Sequence, residues 1–472
     1  MDSIKYYKWN EKDFKVFRRS VHNTFDMKEV QLYQPYFSLY FHIHNTKESH
    51  KRIDIQRRYR ITQVLDTQSS KHYTSNTTHQ CIVYDTKQKT IHNKNLFCKC
   101  IPLLDPVHFM MNKYSNLIHR NPLLPSCYIS NTQSKINDMC NSAYIDTFMS
   151  FLCSEITIND ILPSFPIFYG SVNGIKETFN YDLTDDYHDY KNDKWFHKNL
   201  GKTYSIDMYV SSSEDDDDDS DEDDDSSEYI SLLKDIPVQM FFIEELEGTL
   251  EDLLDDFDKM NTDIIVSAIF QISFALCYLQ KHYQFTHNDL HINNIMFQKT
   301  DKDFLYYKFN NLYYKVPTHG YLFKIIDFGR SIFTYHSKLF FNDTFHKHNE
   351  AGGQYTDPNN SLLFIDKEGK ENIQPNYNFD LCRLAITILE VCDFDRDKDY
   401  KEKQKVIDFI YGLTLTNKNE SLFYLEDDFS MYLSIAKYAS NALPHKTLQN
   451  YIFQEYKVKK KSFPKRLFYK MN

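Results

Sequence analysis

A short polar loop that runs into an apolar strand, Phe285 to Phe297, constrains this chain more than any other stretch. The segment reads Phe-Thr-His-Asn-Asp-Leu-His-Ile-Asn-Asn-Ile-Met-Phe, with Asp289 five residues before Asn294. This spacing predicts that both side chains present oxygen atoms to one phosphate group. Asp289 can then accept the proton of an attacking hydroxyl, and Asn294 can turn its amide oxygen onto a magnesium ion.

A second acidic motif, Lys324-Ile-Ile-Asp-Phe-Gly-Arg330, follows the loop, with Asp327 33 residues after Asn294. An apolar strand ends in Asp327, which is a hard anionic ligand for a second metal position. Gly329 then lets the backbone turn away. Each motif alone is weak evidence because such triplets occur by chance, and two unrelated polar turns in a helical domain are the alternative. Both motifs in this order, each beside an apolar strand, favour a single site.

Lys99 lies in an apolar segment, Asn95 to Pro102, that has the composition of a buried strand. A lysine in that setting is costly unless its ammonium group meets anions. The alternative is a lysine on an edge strand whose ammonium group reaches solvent.

Five polar residues occur in the order in which protein kinases carry their phosphate- and metal-binding groups. They are Lys99, Asp289, Asn294, Asp327 and Asp380. From about residue 57 to residue 450 the chain resembles the eukaryotic-type protein kinase superfamily. Two phrases resemble serine/threonine kinases of giant nucleocytoplasmic DNA viruses of the mimivirus type: Tyr-Tyr-Lys-Val-Pro-Thr-His-Gly before Lys324, and Phe379-Asp-Leu-Cys-Arg-Leu-Ala. The resemblance implies an α+β, bilobal fold with a small β-rich N-lobe, a mainly helical C-lobe and long insertions.

The resemblance also implies ATP and Mg²⁺ as cofactors and gives Lys99 a role at the α- and β-phosphates. The acid that pairs with this lysine is expected on a helix, which the apolar spacing of Ser142 to Ser154 predicts. We prefer Asp146 for that acid over Glu155, which falls at the frayed end of the helix. An ordinary exposed helix acid is the alternative.

The adenine-binding hinge is expected at Val238 to Gly248, where an apolar strand runs into a short polar connection. Glu244 and Leu246 are its candidate nucleotide-binding residues. The implied catalytic residues are Asp289, His291 and Asn294. The implied magnesium ligands are Asn294 and Asp327. Asp380 is implied to bond the backbone of the catalytic loop from behind, or else simply to start a helix.

Four features depart from the family's pattern. The segment Asp66 to Thr78 contains no glycine where a kinase has its phosphate lid. Asn288 replaces an arginine that reads an activation-loop phosphate, and His291 replaces a lysine near the transferred phosphate. No clear Ala-Pro-Glu closes the activation segment. Because an Asp-Leu-His-x-x-Asn loop also occurs in small-molecule kinases, two alternatives to a serine/threonine protein kinase stay open: a phosphotransferase for a small hydroxyl substrate and a weakly active pseudokinase scaffold.

The predicted domain organisation has four parts. They are an N-terminal extension (1–55), an N-lobe (56–245), a C-lobe (246–450) and a basic tail (451–472) that we expect to be solvated. The N-lobe carries an insertion at 171–237, within which the acidic run 211–228 is expected to be disordered by self-repulsion.

Charge and composition narrow the class of protein. The twelve carboxylates from Glu214 to Glu228 change a formal net charge of −11 to +1 when they are left out, so the folded body is nearly neutral. Nine cysteines without a CxxC pair favour buried thiols in a reducing compartment. The longest apolar stretch, Ile264 to Leu279, is interrupted by Gln271 and two serines and predicts a buried helix, not a membrane span. We therefore expect a soluble protein of the host cytoplasm or the virion. Its expected partners are ATP and a protein substrate, with no specific nucleic acid. The sequence does not indicate an oligomeric state.

Overall fold

The computed structural model describes residues 4–39, 50–65, 76–114, 123–126, 134–210, 227–254, 262–346, 349–355, 373, 375–391, 400–425, 429–464 and 468–471. These residues form a mixed α/β protein that divides into two compact units. The first unit comprises Met1–Tyr144 and Phe168–Glu245, and the second comprises Ile145–Ile167 and Leu246–Asn472. A mixed architecture agrees with the predicted class, and two units are compatible with a bilobal arrangement.

Seventeen strands are present among the described residues. They are β1 (Tyr6–Lys8), β2 (Met27–Gln31), β3 (Ile53–Ile55), β4 (Tyr59–Val64), β5 (Thr77–Asp85), β6 (Thr90–Pro102), β7 (Phe168–Asp182), β8 (Tyr204–Val210), β9 (Ser227–Glu244), β10 (Gly248–Thr249), β11 (Ile295–Lys299), β12 (Phe304–Phe309), β13 (Leu312–Pro317), β14 (Tyr321–Ile325), β15 (Ile332–Tyr335), β16 (Lys338–Phe341) and β17 (Tyr469–Met471). The same residues contain twelve α-helices. They are α1 (Glu11–Phe25), α2 (Pro106–Met110), α3 (Ser134–Asn137), α4 (Ser142–Ile158), α5 (Thr184–Tyr190), α6 (Lys194–Asn199), α7 (Leu250–Leu254), α8 (Thr262–Tyr283), α9 (Phe379–Val391), α10 (Tyr400–Leu413), α11 (Phe429–Tyr438) and α12 (Pro444–Thr447).

A seven-stranded sheet organises the first unit, in the order β2-β7-β9-β6-β5-β4, with β8 paired to β9. The predicted insertion 171–237 extends this sheet. Strand β6 pairs with β9 only from Val238 to Glu244, whereas β7 stays paired with β9 as far as Asp182 opposite Ile230. Ser227 and Glu228 lie in β9 and pair with β8, so the prediction of disorder is wrong for these two residues. The rest of the acidic run, 211–226, and the glycine-free segment at 66–75 lie outside the described residues.

The N-terminal residues that the sequence suggested as an extension are part of the first unit. The side chain of Asn10 caps α1 by accepting a hydrogen bond from the Asp13 N–H at 2.8 Å. The apolar face of α1, including Phe17 and Val21, is buried, and β2 pairs with β7. This segment therefore supplies a helix and a strand to the core of the unit.

Helix α8 is largely buried in the second unit and leads into the loop that carries Asp289. Among the described residues it is the one helix long and apolar enough to cross a membrane by composition, and 78% of its most apolar window is buried inside the protein. A helix that is apolar on all sides is typical of a core position. The buried helix predicted for Ile264 to Leu279 is therefore confirmed.

The basic tail, predicted as solvated, is partly packed: among its described residues some are exposed, whereas Phe453, Met471 and strand β17 join the second unit. Strand β17 pairs in parallel with β12, which places Tyr469 opposite Tyr307. Phe453 and Met471 are buried. Aromatic and apolar residues between the lysines gain free energy from burial, whereas the lysines can keep their ammonium groups in water.

Candidate active site

The two acidic motifs meet at one end of a short antiparallel ladder in the second unit. Strands β11 and β14 pair with Ile295 opposite Ile325, so Asn294 immediately precedes the ladder where Asp327 closely follows it. The Ile326 N–H donates to the Asn294 carbonyl oxygen at 3.1 Å. Strand pairing therefore brings Asn294 and Asp327 to one end of the sheet. Asp289 lies on the loop before β11, where its carbonyl oxygen accepts a hydrogen bond from Asn294 Nδ2 at 2.8 Å.

Asp380, on helix α9, anchors the loop that carries Asp289. It is fully buried and its carboxylate accepts hydrogen bonds at 3.0 Å from the backbone N–H groups of His287 and Asn288. Burial raises the pKa of Asp380 to about 6, although His287 and the two backbone donors oppose this shift. The simple helix-start interpretation of Asp380 is therefore insufficient, because both donors belong to the loop that carries Asp289.

We expect Asp380→Asn to lower kcat about tenfold or more with little change in nucleotide affinity. The amide would turn an N–H group toward backbone donors, which loosens the loop. The raised pKa adds a test: the folded state binds the Asp380 proton more readily than the unfolded chain does. This group's contribution to the free energy of unfolding is therefore full below about pH 4 and lost as the pH rises to about 6. Urea unfolding of both proteins across this range should show wild type losing stability relative to the variant. Parallel dependence of the two stabilities on pH would contradict a raised pKa at Asp380.

An uncharged network stands at the position where the resemblance expects an arginine. Asn288 is buried in the left-handed backbone region, with φ 66°. Its amide donates to the Arg330 carbonyl oxygen at 3.0 Å, and its Oδ1 accepts a hydrogen bond from the Tyr355 hydroxyl. Asparagine tolerates this conformation better than most residues. The loop is therefore joined to the segment after Gly329 by neutral hydrogen bonds.

Tyr355→Phe should lower the free energy of unfolding by about 1–3 kcal/mol, because it leaves the buried Asn288 oxygen without its donor. The matched control is Tyr451→Phe, since the Tyr451 ring is 78% exposed. Chemical denaturation of the two variants measures the difference. Equal stability of both variants and wild type would show that the hydrogen bond makes no net contribution to the free energy of unfolding.

Asn294 and His291 form a pair within the loop. The Asn294 Nδ2 lies 2.8 Å from the Asp289 carbonyl oxygen and 3.0 Å from the His291 Nε2. With both N–H groups used in this way, the amide oxygen is the atom that can face a cation. Burial lowers the pKa of His291, helped by Arg383 and opposed by Asp289. In the tautomer that leaves Nε2 without a proton, His291 accepts from Asn294 and orients the amide.

Asp327 has a left-handed backbone conformation, with φ 60°, and is half-buried. The next residue, Phe328, donates its N–H to Asp146 Oδ1 at 2.9 Å, and Asp146 is fully buried on α4. The preferred helix acid thus contacts the motif that carries Asp327 directly. It is a buried acid, so the alternative of an ordinary exposed acid is wrong.

The oxygen ligands suit magnesium held together with phosphate. Within the described residues, no group of three or more His, Cys, Asp or Glu side chains could hold a metal ion by itself. Magnesium is commonly bound by one or two protein carboxylates plus substrate phosphates, keeping several waters. Asp327 and Asn294 fit that donor set. They are too few to form a magnesium site from protein ligands alone.

The predicted nucleotide-binding residues are distributed over both units. Lys99 is half-buried on β6, opposite Phe241 of β9. Because β6 lies between β5 and β9, the alternative of an edge-strand lysine is wrong. Glu244 ends β9 in the first unit, whereas Leu246 begins the C-terminal part of the second unit, and both are half-buried. The pairing of Lys99 with Asp146 stays a prediction.

One residue beside Asp289 escaped the sequence analysis. The Tyr432 hydroxyl donates to Asp289 Oδ1 at 2.9 Å from helix α11. No sequence motif links Tyr432 to the loop 143 residues earlier. Only tertiary packing brings the two together.

Comparisons with known proteins give partial similarities. No protein-family model matches the chain. It is 31% identical over 105 residues to a serine/threonine-protein kinase haspin homolog of Drosophila melanogaster, covering 22% of this chain and 18% of that protein. It is 25% identical over 225 residues to uncharacterized protein 098R of Invertebrate iridescent virus 6, covering 43% and 37% of the two chains. It is 26% identical over 233 residues to uncharacterized protein C717R of African swine fever virus, covering 42% and 32%.

The matched segments span less than two fifths of the length of each of these relatives. The similarity is to a kinase over a short segment and to viral proteins over longer ones. It hints at a kinase-like relationship.

Proposed function

We propose that this protein is an ATP- and magnesium-dependent protein kinase that transfers the γ-phosphoryl group to serine or threonine hydroxyls of protein substrates. The observation that carries the proposal is the meeting of Asp289, Asn294 and Asp327 at one end of the β11–β14 ladder, on a loop anchored by Asp380. The short similarity to a serine/threonine-protein kinase supports it.

In this mechanism the acceptor hydroxyl donates a hydrogen bond to the Asp289 carboxylate, which takes its proton as the hydroxyl oxygen bonds to the γ-phosphorus and the bond from that phosphorus to the leaving ADP breaks. Asp327 and Asn294 would hold magnesium, which would supply positive charge against that of the phosphates. His291 keeps the Asn294 amide turned so that its oxygen is available. The other proposed nucleotide-binding residues are Lys99, Asp146, Glu244 and Leu246.

A small-molecule acceptor is the second candidate, and the Asp-Leu-His-x-x-Asn form of the loop favours keeping it. The same Asp289 chemistry serves either acceptor, since only the hydroxyl reaches the carboxylate. A pseudokinase scaffold is less favoured, because Asp289, Asn294 and Asp327 are all present.

Transfer of radiolabel from γ-labelled ATP, with and without magnesium, tests the proposal. Protein mixtures are compared with sugars and aminoglycosides as acceptors, and Asp289→Asn serves as the inactive control. Magnesium-dependent phosphoserine or phosphothreonine, absent with the control, is the expected result. Labelling of small molecules alone would replace the proposal by the second candidate. Binding of ATP without transfer to any acceptor would favour the scaffold.

A further inference from the structure

Tyr432 approaches Asp289 from helix α11 and uses one of its two carboxylate oxygens. The hydroxyl of Tyr432 donates to Oδ1 at 2.9 Å. A carboxylate accepts at both oxygens, so Oδ2 can still receive the hydrogen bond of an acceptor hydroxyl. The contact fixes the rotation of the group that must face the acceptor.

The Tyr432 ring is held by the same elements that build the site. The guanidinium carbons of Arg330 and Arg383 lie 5.4 Å and 5.3 Å from its ring centroid. Arg330 follows the Asp327 motif, and Arg383 lies one helical turn after Asp380 on α9. The Phe379 ring, also on α9, is 6.0 Å away. The hydroxyl is thus placed by the metal-binding motif and by the helix that anchors the loop.

The phenol is a donor in this contact. Burial raises the pKa of Tyr432, and the Asp289 carboxylate raises it further, while Arg383 opposes the shift. The hydroxyl therefore keeps its proton at neutral pH. A protonated phenol cannot act as a base here, so its contribution is to orient Asp289.

We propose that Tyr432 is a positioning residue for Asp289, holding Oδ1 so that Oδ2 faces the acceptor hydroxyl. The inference rests on the proposed phosphotransferase function. It predicts an effect on turnover and not on nucleotide affinity, because the Tyr432 hydroxyl contacts the proposed base, Asp289.

The test compares Tyr432→Phe with Tyr438→Phe in the magnesium-dependent transfer assay. Tyr432→Phe keeps the ring under the two guanidinium groups and removes the hydroxyl, with its hydrogen bonds to Asp289 and to Arg383. Tyr438 lies on the same helix and is 49% exposed, which makes it the matched control. We expect Tyr432→Phe to lower kcat about tenfold with KM for ATP unchanged, and Tyr438→Phe to leave both unchanged. Melting temperatures of both variants check that the fold is kept.

A double substitution separates positioning from general packing. If Tyr432 acts through the carboxylate, adding Tyr432→Phe to Asp289→Asn should change the residual transfer by less than about twofold. An equal loss in both backgrounds, or equal kcat for Tyr432→Phe and wild type, would overturn the positioning role while leaving the proposed function intact. Wild-type protein without transfer to any acceptor would overturn the proposed function and this inference together.

Discussion

Replacing Asp289 with asparagine should reduce kcat by about a thousandfold or more while leaving the affinity for magnesium–ATP within about twofold. The amide has the shape of the carboxylate but cannot accept the proton of the acceptor hydroxyl. The described side-chain contact of Asp289 is with Tyr432, so the substitution leaves the proposed magnesium ligands in place. Radiolabel transfer measures the first quantity, and a thermal shift with ATP and magnesium measures the second.

The control for this substitution is Asp301→Asn, an equally small change at an exposed position of the same unit. It should alter neither quantity. If Asp289→Asn weakened ATP binding as strongly as a substitution of Asp327 does, the assignment of Asp289 as base and Asp327 as metal ligand would be wrong.

The loop that carries Asp289 and its neighbouring strands could be predicted because the sequence patterns that indicate them are local. A polar loop followed by an apolar strand gave β11, and the strand ending in Asp327 gave β14. Antiparallel pairing then fixes which ends meet, so the meeting of Asn294 with Asp327 follows from strand order and register. The anchoring role of Asp380 was carried by family resemblance and not by local pattern.

The features that the sequence did not reveal depend on contacts between distant segments. Tyr432 looks like any residue of an amphipathic helix until α11 is packed beside the loop. Strand β17 was not predicted because the lysines of the tail drew attention away from Tyr469 and Met471. Its partner β12 also lies far earlier in the chain, so no local pattern indicates the pairing. Strand formation depends on packing against neighbours more than on intrinsic preference, so such pairings have no local signal.

Substituting asparagine for Asp327 should move the magnesium dependence of ATP binding to higher magnesium concentration and lower turnover about a hundredfold. The backbone of Asp327 is left-handed, with φ 60°, a conformation that asparagine also tolerates. The substitution therefore removes the charge without forcing the chain to move.

The effect should be large because the segment Asp66 to Thr78 contains no glycine. Under the proposed function we expect fewer close backbone N–H contacts to phosphate, so that the metal must offset more of the phosphate charge. Thermal shifts with ATP across a magnesium titration, with EDTA as the zero point, measure the midpoint for wild type, Asp327→Asn and Asp289→Asn. We expect the midpoint to shift for Asp327→Asn alone. An unchanged midpoint, or equal ATP binding by wild type in EDTA and in magnesium, would mean that Asp327 does not hold the metal that the nucleotide needs.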